Sequence, residues 1–109
     1  MTISISRDDV LGRLRSARPV LLVEALGPAY YADAHLPGAI NIPPDQVDRL
    51  ASRLLPDTSA EVIVYCSGAC DNSGMVAGRL TELGYEQVRI YAEGKEDWIE
   101  HGLPVEREA

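Results

Sequence analysis

A chain of 109 residues with 17 acidic and 10 basic side chains, net charge −7, is the size of one domain able to bury an ordinary core. The acidic balance argues against nucleic acid or an anionic membrane as partner, and no apolar run approaches the length of a membrane span. Met1-Thr-Ile-Ser-Ile-Ser lacks the basic and apolar regions of a secretory leader, so a cytoplasmic protein is expected.

In chain order the first signal is Ser6 followed by Asp9, a capping box with Asp in place of Glu, after which Val10, Leu11, Leu14 and Ala17 share one helical face. Val20 to Val23 reads as a buried parallel strand. Pro28 to Ala34 can make a short helix and Ala39 to Ile42 a short strand. Val47, Leu50, Ala51 and Leu54 follow the i, i+3, i+4, i+7 pattern of an amphipathic helix that must end before Pro56. Val62 to Tyr65 is the next strand. Val76, Ala77, Leu80 and Leu83 form a helical face stopped by Gly84, a suitable residue just past a helix end. Val88 to Tyr91 reads as the last strand, and Lys95 to His101 as a final helix before Gly102. Regular alternation with short connections predicts an α/β fold, a parallel sheet with helices on both faces, and one domain over residues 1–109 without repeats or linker.

Val62-Ile-Val-Tyr-Cys66-Ser-Gly-Ala-Cys70-Asp-Asn-Ser73 carries the chemistry. A buried strand runs into Cys66, a small polar turn follows, and a helix is expected to start near Ser73. A thiol so placed faces the positive end of a helix dipole and unpaired backbone N–H groups, and both stabilise the thiolate, the reactive form. In open sheets of this class ligands bind beyond the carboxyl ends of the strands, so position and chemistry agree. Cysteine can also serve as a small buried hydrophobe, but packing does not require the turn that follows. Gly68 and Ala69 are small enough for backbone to approach a bound sulfur or anion, and Asn72 or Ser73 is expected to cap the helix. Cys66 and Cys70, four apart, would close only a very small ring, so they do not form a disulfide scaffold.

These residues bring the chain to a family. Over nearly its whole length it resembles the single-domain rhodanese-like sulfurtransferases. The resemblance rests on Val20-Leu-Leu-Val-Glu24, His35-Leu-Pro-Gly-Ala-Ile-Asn-Ile-Pro43, Val62-Ile-Val-Tyr-Cys66, Leu83-Gly84-Tyr85, Tyr91-Ala-Glu-Gly94, Trp98 and Gly102-Leu-Pro-Val105. It implies a five-stranded parallel sheet flanked by helices. It also implies that Cys66 is a nucleophile that takes a sulfane sulfur from thiosulfate or a persulfide and passes it to a thiol acceptor. No cofactor or metal is implied. The partners would be a small sulfur donor and a thiol acceptor, with a protein persulfide among the candidates.

The chain departs from the family pattern in its charges. Glu24-Ala25-Leu26 stands where Asp-Val-Arg is common, and the loop of Ser67, Gly68, Ala69, Cys70, Asp71 and Asn72 before Ser73 holds no Lys or Arg. Such a loop binds oxyanions through N–H groups alone, and Asp71 opposes ionisation of the thiol. Weak use of thiosulfate is therefore expected, and a less charged persulfide donor is favoured. Asn72 also stands where phosphatases and arsenate reductases of this type need arginine. Cys70 is a candidate resolving thiol, able to close a disulfide with Cys66 if the loop is tight, or a loop cysteine without a partner. Zinc at Cys66 and Cys70 would need His35 and His101, whose spacing is wrong for a finger. His35 is expected to bond backbone, His101 to sit in a last helical turn, Trp98 to join the core, and Arg79 to be solvated. Lys95 is expected to border the site. A regulatory rhodanese module that binds a partner protein and a thiol-redox protein using Cys66 and Cys70 stand as alternative functions.

Overall fold

The computed structural model describes residues 3–16, 19–68 and 70–108. Five parallel strands form one sheet in the order β1-β5-β4-β2-β3: β1 Ile3–Ile5, β2 Val20–Glu24, β3 Ile40–Asn41, β4 Glu61–Tyr65 and β5 Gln87–Tyr91. The helices are α1 Arg7–Arg15, α2 Pro28–Asp33, α3 Val47–Leu54, α4 Asn72–Glu82 and α5 Gly94–Glu100, with a 3-10 turn over Pro44–Gln46 leading into α3. The α/β class, the parallel sheet and the helical cover on both faces are as expected.

Local rules account for most of these elements. The Asp9 amide donates to Ser6 Oγ at 3.1 Å and the Ser6 amide donates to Asp9 Oδ2 at 3.1 Å, so Asp performs the capping-box role. Leu83 caps the end of α4, and Gly84 beyond it takes φ +101°, a conformation that glycine adopts without steric penalty. Ala17, expected on the face of α1, lies outside the described residues. One strand is absent from the elements read along the chain: β1, three residues at the sheet edge, pairs Ile3 with Arg89 and Ile5 with Tyr91.

β4 is buried at every position, as a central parallel strand must be. On one side of the sheet Val62, Val64 and Val23 pack with Val47 and Ala51 of α3 and Val76, Ala77 and Leu80 of α4. On the other, Ile63, Tyr65, Leu22 and Tyr91 pack with Val10 of α1 and Trp98 of α5. Side chains alternate across β4, so one strand supplies both cores. From β2 the chain first pairs outward to β3, then crosses back so that β4 lies on the other side of β2. That reversal opens a crevice at the carboxyl ends of β2 and β4, where sheets of this kind hold their ligands.

Candidate active site

Cys66 is the first residue past β4, at that crevice, and only 1% of its surface is exposed. Its Sγ lies 3.5 Å from the Ser73 hydroxyl, in the first turn of α4, and 3.8 and 3.7 Å from the carbonyl oxygens of Gly68 and Cys70. Cys66 and Cys70 are joined by a disulfide, with Cα atoms 6.7 Å apart, within the range such a bond spans. The two sulfurs stand in for a pair of thiols in the reduced protein. There the Ser73 hydroxyl is positioned to donate to a Cys66 thiolate. The Cys70 amide donates to Gly68 O at 2.8 Å, which turns the loop back on itself.

The loop residues divide by environment. Ser67, Gly68 and Cys70 are half-buried, Asp71 is exposed, and Ala69 lies outside the described residues. The cap position of α4 falls on Asp71 rather than on Asn72 or Ser73, correcting the expectation. Asp71 enters the helix with αR backbone, φ −90° and ψ −11°, and its side chain makes no capping bond; Ser73, already helical, is buried and turned to the sulfur. No cation approaches from within the loop, which has none.

Two residues of α5 hold the loop from the other side. Lys95 N donates to Cys66 O at 2.8 Å and Glu96 N donates to Ser67 O at 2.7 Å. The two backbones come so close only because residue 94 is glycine. Its φ is +71°, and a Cβ there would stand 2.6 Å from Cys66 O and 2.9 Å from Gly68 N.

Lys95 does not border the site as a cation; this too is a correction. Its ammonium turns inward and donates to Glu24 Oε2 at 3.1 Å, Tyr30 O at 2.9 Å and Ala34 O at 2.6 Å, using all three protons. The two carbonyls belong to the end of α2, where a positive charge is favourable. Glu24, fully buried, also accepts from Tyr65 Oη at 2.8 Å, and Tyr65 Oη accepts from Leu36 N at 3.1 Å. Burial, reinforced by the Glu24 carboxylate, holds the Tyr65 phenol well above its ordinary pKa, so it remains a donor.

Glu96 was not singled out in the sequence. Its carboxylate lies against Gly68, where a Cβ would meet Oε2 at 3.5 Å. Local pattern carries no signal for this contact, since residues 68 and 96 belong to different elements. A depression on the same edge of the sheet is lined by Gly27, Asn41, Pro43 and Arg49. The remaining candidates have structural places. His35 Nδ1 bonds Tyr31 O at 2.7 Å, Trp98 Nε1 donates to Pro104 O at 2.8 Å, and Arg79 pairs with Asp48 at 2.6 Å on the surface. His101 is exposed at the end of α5. Among the described residues no group of three or more His, Cys, Asp or Glu side chains is arranged to hold a metal, and no helix is long and apolar enough to cross a membrane.

A five-stranded parallel sheet with helices on both faces and a cysteine just past its central strand, against the first turn of a helix, is a rhodanese fold. Residues 6–101 match the rhodanese-like domain, and the chain belongs to that family. A sulfurtransferase of Allochromatium vinosum is 31% identical over 106 residues, covering 96% of this chain and 95% of that protein. The HTH-type transcriptional regulator Rv0324 of Mycobacterium tuberculosis is 35% identical over 107 residues, 97% of this chain; the chain spans 46% of the regulator's length. Among solved structures, one described as rhodanese with anions from Escherichia coli superposes with a TM-score of 0.69 at 30% identity, covering 82% of this chain and 99% of that one.

Proposed function

We propose that the chain is a sulfurtransferase in which Cys66 accepts a sulfane sulfur, carries it as a persulfide and hands it to a thiol. In the first half-reaction the Cys66 thiolate attacks the outer sulfur of the donor, and the rest of the donor leaves with the bonding pair. In the second, an acceptor thiolate attacks the outer sulfur of the Cys66 persulfide, and Cys66 leaves as thiolate. The carrying observation is the position of Cys66 Sγ, past the end of β4 and 3.5 Å from Ser73 Oγ at the start of α4. Both the hydroxyl and the helix end favour a thiolate there. Ser67, Gly68, Asp71 and Asn72 would wrap the transferred sulfur.

The charges support a persulfide donor, small or protein-borne, over thiosulfate. A dianion entering the loop would find no basic side chain among the loop residues, with Asp71 within the loop and the Glu96 carboxylate against Gly68. A Cys66–Cys70 disulfide that forms and reopens at the site would suit a reducing compartment such as the cytoplasm, and residues 1–109 would work as a single domain. The test is sulfur transfer from a persulfide to a thiol acceptor. Cys66→Ser should abolish it, and full transfer by that variant would refute the assignment.

A second reading has its own support. The similarity to a transcriptional regulator, together with a loop lacking cations, fits a rhodanese module that senses sulfur species or binds a partner protein through the Cys66 loop.

A further inference from the structure

We propose that Cys70 resolves the Cys66 persulfide within the same chain, so that the protein releases the sulfane sulfur as sulfide and acts as a persulfide reductase. The inference rests on the Cys66 persulfide proposed above and adds a reaction to it. Three observations carry it. First, the fold joins the two Sγ atoms in a disulfide, and the Cys70 amide donates to Gly68 O at 2.8 Å. Second, nothing in the loop neutralises a terminal persulfide anion. The loop has no Lys or Arg, and a carboxylate, that of Glu96, lies against Gly68. Third, Cys66 is buried while Cys70 is partly exposed, so a thiol held in the loop reaches the persulfide more readily than a bulky external acceptor.

The atoms balance as follows. A persulfide RSSH gives its outer sulfur to the Cys66 thiolate and leaves as RS−. The contact in the fold joins Sγ to Sγ, so the Cys70 thiolate attacks the inner sulfur of Cys66–S–SH. The Cys66 Sγ to Cys70 Sγ bond forms, the bond to the terminal sulfur breaks, and that sulfur departs as HS−. The sulfane sulfur gains two electrons and the two cysteines lose them. A dithiol reductant resets the site by attacking the more exposed Cys70, which releases Cys66 as the thiolate.

A single-turnover experiment tests this. The full chain is reduced with dithiothreitol, freed of reductant and mixed with one equivalent of benzyl persulfide, a donor that carries at most one negative charge where thiosulfate carries two. Released sulfide and intact protein mass are then followed against a protein-free control. The wild type should release one sulfide per chain and end two hydrogens lighter, as the Cys66–Cys70 disulfide. Cys70→Ser should gain the mass of one sulfur and release sulfide about tenfold or more slowly. Equal sulfide release by Cys70→Ser, or a wild type that stably keeps the extra sulfur, would overturn the inference and leave Cys66 transfer standing. A Cys70→Ser protein that gains no sulfur would overturn both.

Discussion

Lys95 touches Cys66 through its backbone and Glu24 through its side chain: its N–H donates to Cys66 O at 2.8 Å while its ammonium is held 3.1 Å from Glu24 Oε2. One residue thus fastens the reactive loop to β2 and to the end of α2. Removing only the ammonium leaves a carboxylate buried without its counter-charge. Lys95→Met should therefore destabilise the fold by about 3–5 kcal/mol in denaturant unfolding. Glu24→Gln in the same chain should recover a good part of that loss, since Gln still accepts from Tyr65 and carries no charge. Equal destabilisation by the single and double variants would show that the pair's charge is not what holds the loop.

Gly94→Ala should strain the backbone and push the loop away from α5. The added Cβ would meet Cys66 O, a backbone atom, at 2.6 Å, at a φ of +71°. A stability loss of about 1–3 kcal/mol is expected, with a fall in sulfur uptake by Cys66 that persists in the folded protein. Gly12→Ala is the control, because nothing lies within 4 Å of a Cβ there.

Charge at the loop should set donor preference. Asn72→Arg supplies a charge-assisted contact and should raise kcat/KM for thiosulfate by about tenfold or more. Glu96→Gln removes an exposed carboxylate beside Gly68 and should give a gain of about a few-fold that shrinks as salt is added. Turnover of benzyl persulfide, which carries at most one negative charge, should gain less than that of dianionic thiosulfate in either variant. Equal gains with both donors would mean a reshaped loop rather than an altered field.

Much of this was legible in the chain. The Ser6–Asp9 box, the stripe from Val47 to Leu54 and the all-apolar run into Cys66 are local patterns, and each became the element expected. β1 was missed because Ile3–Ile5 is three residues at a sheet edge, too short for an alternation to stand out. Lys95 misled because a lysine at a helix start ordinarily points to water, and its partner Glu24 lies 71 positions earlier. The same non-locality hid Glu96 against Gly68. The cap on Asp71 was missed because Asp, Asn and Ser at positions 71 to 73 are about equally good capping types, and only the fold shows Ser73 turned to the Cys66 sulfur.

Acid should loosen the anchor of α5. Tyr91 Oη donates to Asp97 at 2.6 Å and Arg7 pairs with it at 3.0 Å, and these contacts, Tyr91 first, hold the Asp97 carboxyl below its ordinary pKa. A carboxyl depressed in the folded state adds stability that is fully present above its unfolded pKa and is lost as pH falls through the folded one. Asp97→Asn should therefore lower Tm at neutral pH, and the gap to wild type should close as the solution becomes more acidic than the folded Asp97 pKa. A gap that stays constant with pH would assign the loss to packing.

The most direct measurement locates the transferred sulfur. Reduced Cys70→Ser protein, in which the sulfur cannot be resolved internally, is treated with benzyl persulfide, digested and examined by peptide mass spectrometry. The account predicts one added sulfur, on the peptide containing Cys66 and on that thiol, and none in Cys66→Ser carried through the same steps. An unmodified Cys66 in the folded, reduced protein would contradict it.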